Sequence, residues 1–209
     1  MADVKICGLS TAETMQAALD HGADMVGLVF YPKSPRNVSL KQAAALADQA
    51  RGHAQVVALV VDADDALLRN IVQDVLPDFI QAHGNETPQR IAEIHALTSV
   101  PVIKAIKVET AHDVSMAPAF HVVAAMILFD AKAPKGLLPG GNGLSFDWTL
   151  LKGIGGPFML SGGLDPSNVT DAIRLTQAPI VDVSSGVESG PGIKDADLIA
   201  KFIKAAKSA

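Results

Sequence analysis

Short apolar runs recur along the chain: VKIC (4–7), MVGLVF (25–30), VVALVV (56–61), FIQAH (79–83), PVIKAIKV (101–108), AAMILF (124–129), PFMLS (157–161) and IVDVS (180–184). Several are β-branched and nearly continuous rather than alternating. Strands buried on both faces have this pattern, which predicts a parallel sheet covered by helices. Helical spacing lies between the runs. Ser10 stands three residues before Glu13, and Ser39 three before Gln42, both in capping-box order. Asp64 precedes Leu67, Leu68, Ile71, Val72 and Val75 on one face. Thr87-Pro88 and Asp165-Pro166 read as an N-cap followed by Pro at the first helical position. The last helix, DADLIAKFIKAAK (195–207), carries lysines in its final turns, where the helix dipole favours them. The fifth intervening segment is short. FDWTLLKG (146–153) has room only for a short helix, and PGGNG (139–143) reads as part of a long loop in unit six.

Eight strand–helix units without a linker or a shift in composition predict an α/β fold, a (β/α)8 TIM barrel spanning residues 1–209 as one domain. The rival is an open doubly wound sheet, whose GxGxxG turn after the first strand is missing.

Hydrophobic residues make up 49% of the 209, enough for a large core. A net charge of −5 and 4% aromatics give neither the basic field nor the stacking platform of a nucleic-acid binder. A single cysteine allows no internal disulfide and fits a reducing compartment. The longest apolar runs are far shorter than the roughly 20 residues of a membrane helix, and no signal-peptide core opens the chain. The expectation is a cytoplasmic protein with no membrane partner. No HExxH, paired His/Asp spacing or GK[ST] loop is present, which argues against a catalytic metal, a motor or a kinase.

In a barrel of this kind chemistry sits at the C-terminal ends of the strands. Cys7 ends the first strand, either as an inert buried thiol or as a site group facing the mouth. Asp130 follows the sixth run, as a loop cap or a site acid. His83 ends the fourth strand and is the one histidine of six not placed on the surface by its context. Arg36, in YPKSPRNV, sits in a loop stiffened by two prolines and suits a carboxylate clamp. The seventh strand finishes in SGG (161–163) and the eighth in SSGVESGPG (184–192). Small-residue turns at these two positions suit a phosphate held by backbone N–H groups.

The residues resemble those of the phosphoribosylanthranilate isomerase family. The resemblance runs through KICGL (5–9), SPR (34–36), HG (83–84), FD (129–130), the GGNG…FDW segment (140–148), LSGGLDPSNV (160–169) and DVSSGVESGPGIKD (182–195). The chain departs from the family's usual pattern at Ala82, where a larger residue is commoner, and at Asn142, where Thr is commoner. The resemblance implies a barrel catalysing an Amadori rearrangement of N-(5-phosphoribosyl)anthranilate in tryptophan biosynthesis. It implies Cys7 as general base and Asp130 as general acid, with no cofactor and no metal. Arg36 would pair with the anthranilate carboxylate and His83 and Gly141 would contact substrate. Gly162, Gly163, Ser184, Ser185 and Gly186 would hold the phosphate. The partner is a phosphorylated small molecule and the chain a monomer or homodimer. For such chemistry Asp130 should be raised by burial under substrate, and Cys7 lowered by Lys5 or a helix N-terminus. Lys5, on the same side of its strand as Cys7, can instead serve only structure. Another phosphosugar barrel would need metal-binding His/Asp sets, or catalytic Lys and Glu residues for which only Lys104 and Lys107 are available. A non-catalytic phosphate-binding barrel would keep the SGG and SSG turns without Cys7 or Asp130.

Overall fold

Eight parallel strands close into a barrel: β1 (Asp3–Cys7), β2 (Met25–Phe30), β3 (Gln55–Val60), β4 (Phe79–Ala82), β5 (Val102–Val108), β6 (Met126–Ala131), β7 (Phe158–Leu160) and β8 (Ile180–Val183). The computed structural model describes residues 1–134 and 140–209; Pro139 of the unit-six loop lies outside them. Each strand pairs with its sequence neighbours, and β1 closes the ring against β8 with Lys5 opposite Asp182. The (β/α)8 architecture expected from the apolar runs is the one observed. Among the described residues no helix is long and apolar enough to cross a membrane.

The outer ring comprises α1 (Ala12–Asp20), α2 (Leu40–Ala50), α3 (Asp65–Val75), α4 (Pro88–Thr98), α5 (Ala111–Val114), α6 (Val169–Thr176) and α7 (Ala196–Lys207). Among the described residues, unit six has a single 3-10 turn at Trp148–Leu151, as its short pattern predicts. Side-chain oxygens of Ser39, Asp64, Thr87 and Asp195 accept from the N–H three residues on, satisfying donors that the first helical turn leaves open.

Three local expectations are corrected. The cap of α1 is Thr11, whose Oγ1 accepts from Thr14 N at 3.3 Å, and not Ser10. Gln42 does not close a capping box on Ser39; its Nε2 donates to the Ser10 carbonyl at 2.6 Å, tying α2 to the loop before α1. Asp165-Pro166 does not start a helix. Asp165 Oδ1 accepts from Ser167 N at 2.7 Å, forming a turn that delays α6 to Val169.

Outward-facing residues of the strands pack against the helices in one large core, anchored by buried side chains such as Leu68, Ile91, Phe129 and Phe202. Inside the barrel the lower half is apolar, filled by Met25, Val57, Ile103, Leu128 and Met159. Higher up the filling turns polar: Lys5, Gln81, Asp130 and Asp182 are all buried. The alternation of strand side chains aims all four inward. Gly27 makes room for Cys7. A Cβ at that position would stand 2.8 Å from Cys7 Sγ and 3.1 Å from Cys7 Cα. We expect Gly27→Ala to lose about 1–3 kcal/mol by overpacking, read as a lower urea midpoint at unchanged m value.

Candidate active site

The site lies at the C-terminal mouth of the barrel. Cys7 from β1, Asp130 from β6 and His83 just past β4 line one cavity with Arg36, Gly141, Ser161, Asp182 and Ser184, of about 510 Å³. Val29, Tyr31, Leu59 and Val61 give that cavity one apolar wall. It continues past Asp130 and Ser161 into a second lobe of about 340 Å³, walled by Gly162, Gly163, Asn142, Gly143 and Ser185. The N–H groups of Gly162, Gly163 and Ser185 find no acceptor among the described residues. Gly162 and Gly163 have positive φ, so their backbone takes a course that other residues resist. The second lobe therefore has the donors of an anion nest, beside a first lobe suited to a flat apolar group. Gly186 does not line it. Its Cα packs so closely on the Leu164 carbonyl that a side chain there would collide.

Asp130 is the next-to-last residue of β6, at the strand end where the apolar run predicts it. Its Oδ1 accepts from Ala131 N at 2.9 Å, and its Oδ2 meets His83 Nε2 at 3.1 Å. His83 Nδ1 in turn meets Gln81 Nε2 at 2.9 Å. The other five histidines are exposed, as their contexts predict.

Cys7 is buried above the Lys5–Asp182 ion pair, whose N–O distance is 2.8 Å. Burial pushes the Cys7 thiol up; the Lys5 ammonium pulls it back and the Asp182 carboxylate pushes it further up. The expectation of a lowered thiol is corrected: burial outweighs the pull of Lys5. Burial opposes the charge on Lys5 as well, but Asp182 and Cys7 outweigh it and hold the ammonium above its usual range.

Arg36 is not a free clamp. Its Nε donates to Glu188 Oε1 at 2.7 Å, and its Nη2 donates to Glu188 Oε2 at 2.8 Å and to the Gly141 carbonyl at 3.0 Å. Nη1 is the edge that these bonds do not use. Glu188 also takes Lys194 Nζ at 2.7 Å, and Lys194 donates to the Ser184 carbonyl at 2.8 Å. The SSGVESGPG stretch is thus more than a glycine turn. It forms a 3-10 turn at Ser185–Val187 and a hairpin of β9 (Glu188–Gly190) and β10 (Ile193–Lys194) that brings Glu188 to Arg36.

Sequence reading missed Asp182, Glu188, Lys194 and Gln81. For Asp182 a signal existed: Lys5 and Asp182 are opposite charges in the two strands that must meet when a barrel closes. Glu188 and Lys194 gave none, since charged residues in a Gly/Pro-rich loop ordinarily face solvent.

Comparison with known proteins gives a consistent result. A family model described as N-(5'phosphoribosyl)anthranilate (PRA) isomerase matches residues 4–205. An N-(5'-phosphoribosyl)anthranilate isomerase of Rhodopseudomonas palustris (strain BisA53) is 57% identical over 99% of this chain and 96% of its own length. The solved phosphoribosyl anthranilate isomerase from Thermotoga maritima is 35% identical, with both chains covered completely and a TM-score of 0.90. A phosphoribosyl anthranilate isomerase solved in complex with reduced 1-(o-carboxyphenylamino)-1-deoxyribulose 5-phosphate is 34% identical over 100% of both chains, with a TM-score of 0.87.

Burial pushes the Glu188 carboxyl up, but the hydrogen bonds from Arg36 and Lys194 outweigh it and hold it below the usual carboxylate range. The stabilisation is therefore present above the unfolded-state value of about 4.3 and is lost as pH falls through the lower folded value. Glu188→Ala leaves two buried cations unpaired, and we expect it to lose about 3–5 kcal/mol at pH 7. In urea melts the gap between wild type and variant should narrow below about pH 4.

Proposed function

The chain belongs to the N-(5'-phosphoribosyl)anthranilate isomerase family and is an isomerase of tryptophan biosynthesis; we propose that it works with Cys7 as general base and Asp130 as general acid. The substrate is N-(5-phosphoribosyl)anthranilate. Asp130 gives a proton to the furanose ring oxygen as the C1–O bond breaks, its electron pair going to that oxygen. The anthranilate nitrogen lone pair forms the C1=N bond, which makes the proton on sugar C2 acidic. Cys7 thiolate removes that proton, and the enolamine becomes the ketone by moving a proton from the C2 hydroxyl to C1. Acid and base act on different sides of the sugar, so neither neutralises the other.

One observation carries this reading: Cys7 and Asp130, on strands three apart around the ring, line the same cavity. The glycine and serine lobe beside it fits the phosphate, with Gly162, Gly163, Ser184 and Ser185 as the wall. The apolar wall of Val29, Leu59 and Val61 fits the anthranilate ring. Its carboxylate meets Arg36 through Nη1, since Nε and Nη2 are held by Glu188 and Gly141. His83 lines the same cavity and meets Asp130.

Turnover of freshly generated substrate, followed by loss of anthranilate fluorescence, tests the reading. Cys7→Ser and Asp130→Asn should each lower kcat by about 10²–10⁴-fold with little change in KM. Either variant within a few-fold of wild type would overturn its assignment. The base works as thiolate, and burial holds the thiol up, so wild-type kcat/KM should rise with pH above 7. Asp182→Asn removes one of the charges that raise the thiol, and the rise should then begin at lower pH.

A further inference from the structure

Gln81 is fully buried inside the barrel, and its Oε1 finds no donor among the described residues. Such an orphan acceptor is uncommon in a protein interior and calls for a reason. Its other end, Nε2, lies 2.9 Å from His83 Nδ1, and His83 Nε2 lies 3.1 Å from Asp130 Oδ2. The carboxyl is fixed in plane by the bond from Ala131 N to Oδ1. Gln81, His83 and Asp130 therefore form a single line of hydrogen bonds running from the barrel interior to the reacting group.

A carboxamide nitrogen only donates. With Nε2 facing His83, Nδ1 is the lone-pair nitrogen, the ring proton is on Nε2, and Asp130 receives it as a carboxylate. The His83–Asp130 pair then holds one proton and has none to give. A half-turn of the carboxamide presents Oε1 instead. Nδ1 then carries a proton, and a second proton lies between His83 Nε2 and Asp130 Oδ2. That is the form from which Asp130 donates. Either orientation satisfies one end of the amide and leaves the other unpaired. The proton count of the pair decides between them.

We propose that Gln81 is a positioning residue that loads the acid: by turning Oε1 toward His83 it stabilises the doubly protonated His83–Asp130 pair. The proposal rests on the reading of Asp130 as general acid. The other groups facing this line are Cys7 and Lys5 from β1, Tyr31 and Arg36 after β2, Lys107 from β5 and Asp182 from β8. Lys5 is paired with Asp182 and Arg36 with Glu188. Lys107 Nζ reaches 3.5 Å from Asn85 Oδ1. Gln81 is the group within hydrogen-bond distance of His83 Nδ1.

The experiment uses the full chain with 15N-labelled histidine, titrated without ligand, with the His83 signals assigned by difference from His83→Asn. Two variants are compared with wild type. Gln81→Met keeps the volume and removes the acceptor. The Nδ1–H signal should weaken relative to wild type at the same pH, and kcat at pH 7 should fall about tenfold. KM should stay within about twofold, and kcat should recover as pH is lowered. Gln81→Glu supplies a permanent acceptor. It should keep Nδ1 protonated to higher pH and extend activity toward alkaline pH. A role in packing alone predicts the opposite order, with the buried charge of Gln81→Glu more harmful than methionine. An unchanged Nδ1 transition and kcat profile in Gln81→Met, or a Gln81→Glu enzyme as impaired as Gln81→Met, would overturn the proposal. Full turnover by Asp130→Asn would instead remove the acid assignment, while the Nδ1 transition would still report whether Gln81 governs His83.

Discussion

The ion pair between Lys5 and Asp182, buried at the seam where the first strand meets the last, is the constraint on which the rest of the barrel depends. An ammonium or a carboxylate alone at that depth would be strongly destabilising, and the pair is tolerable only when both partners are present in register. Strand order, closure and inward orientation are therefore checked by one contact. The same contact forms the floor of the site. It supports Cys7 from below and sets two opposing charges against the thiol, with burial deciding the net direction.

Two further buried pairs do for the loops what the seam does for the strands. Glu188 holds Arg36 and Lys194, joining the loop after β2 to the hairpin after β8. Glu86 holds Lys104 at 2.7 Å and also accepts from Asp62 N and Gly84 N, joining the loops after β3 and β4 beside His83. Loops at the mouth of such a barrel are free to vary in length and sequence. Here those that carry Arg36 and His83 are fastened by charge-assisted bonds. A positioned guanidinium and a positioned imidazole follow from these bonds rather than from the local rigidity of YPKSPR or HGN. The prolines around Arg36 shape its loop, but Glu188 fixes the direction of its fork.

Much of this was legible in the chain. Continuous apolar runs marked all eight strands because both faces of each are buried, and Cys7, His83 and Asp130 stood out as polar or reactive groups at the ends of those runs. Cap positions were less legible. Ser10 and Thr11 are both competent caps, and only backbone geometry selects Thr11. Asp165 has the side chain of an N-cap but spends it on Ser167. The partner of Arg36 was the least legible, because it lies 152 residues away in a loop. Sequence proximity carries no information about a contact made by the closure of a ring.

The separation of Lys5 from Asp182 bears on how the molecule is made. Lys5 leaves the ribosome 177 residues ahead of Asp182. Until β8 is available, an incomplete barrel that buried Lys5 would hold a bare ammonium in its interior, so the seam stays open and wet. The ion pair thus sets a time as well as a place: the barrel seals, and a chamber for chemistry exists, only once β8 has been synthesised.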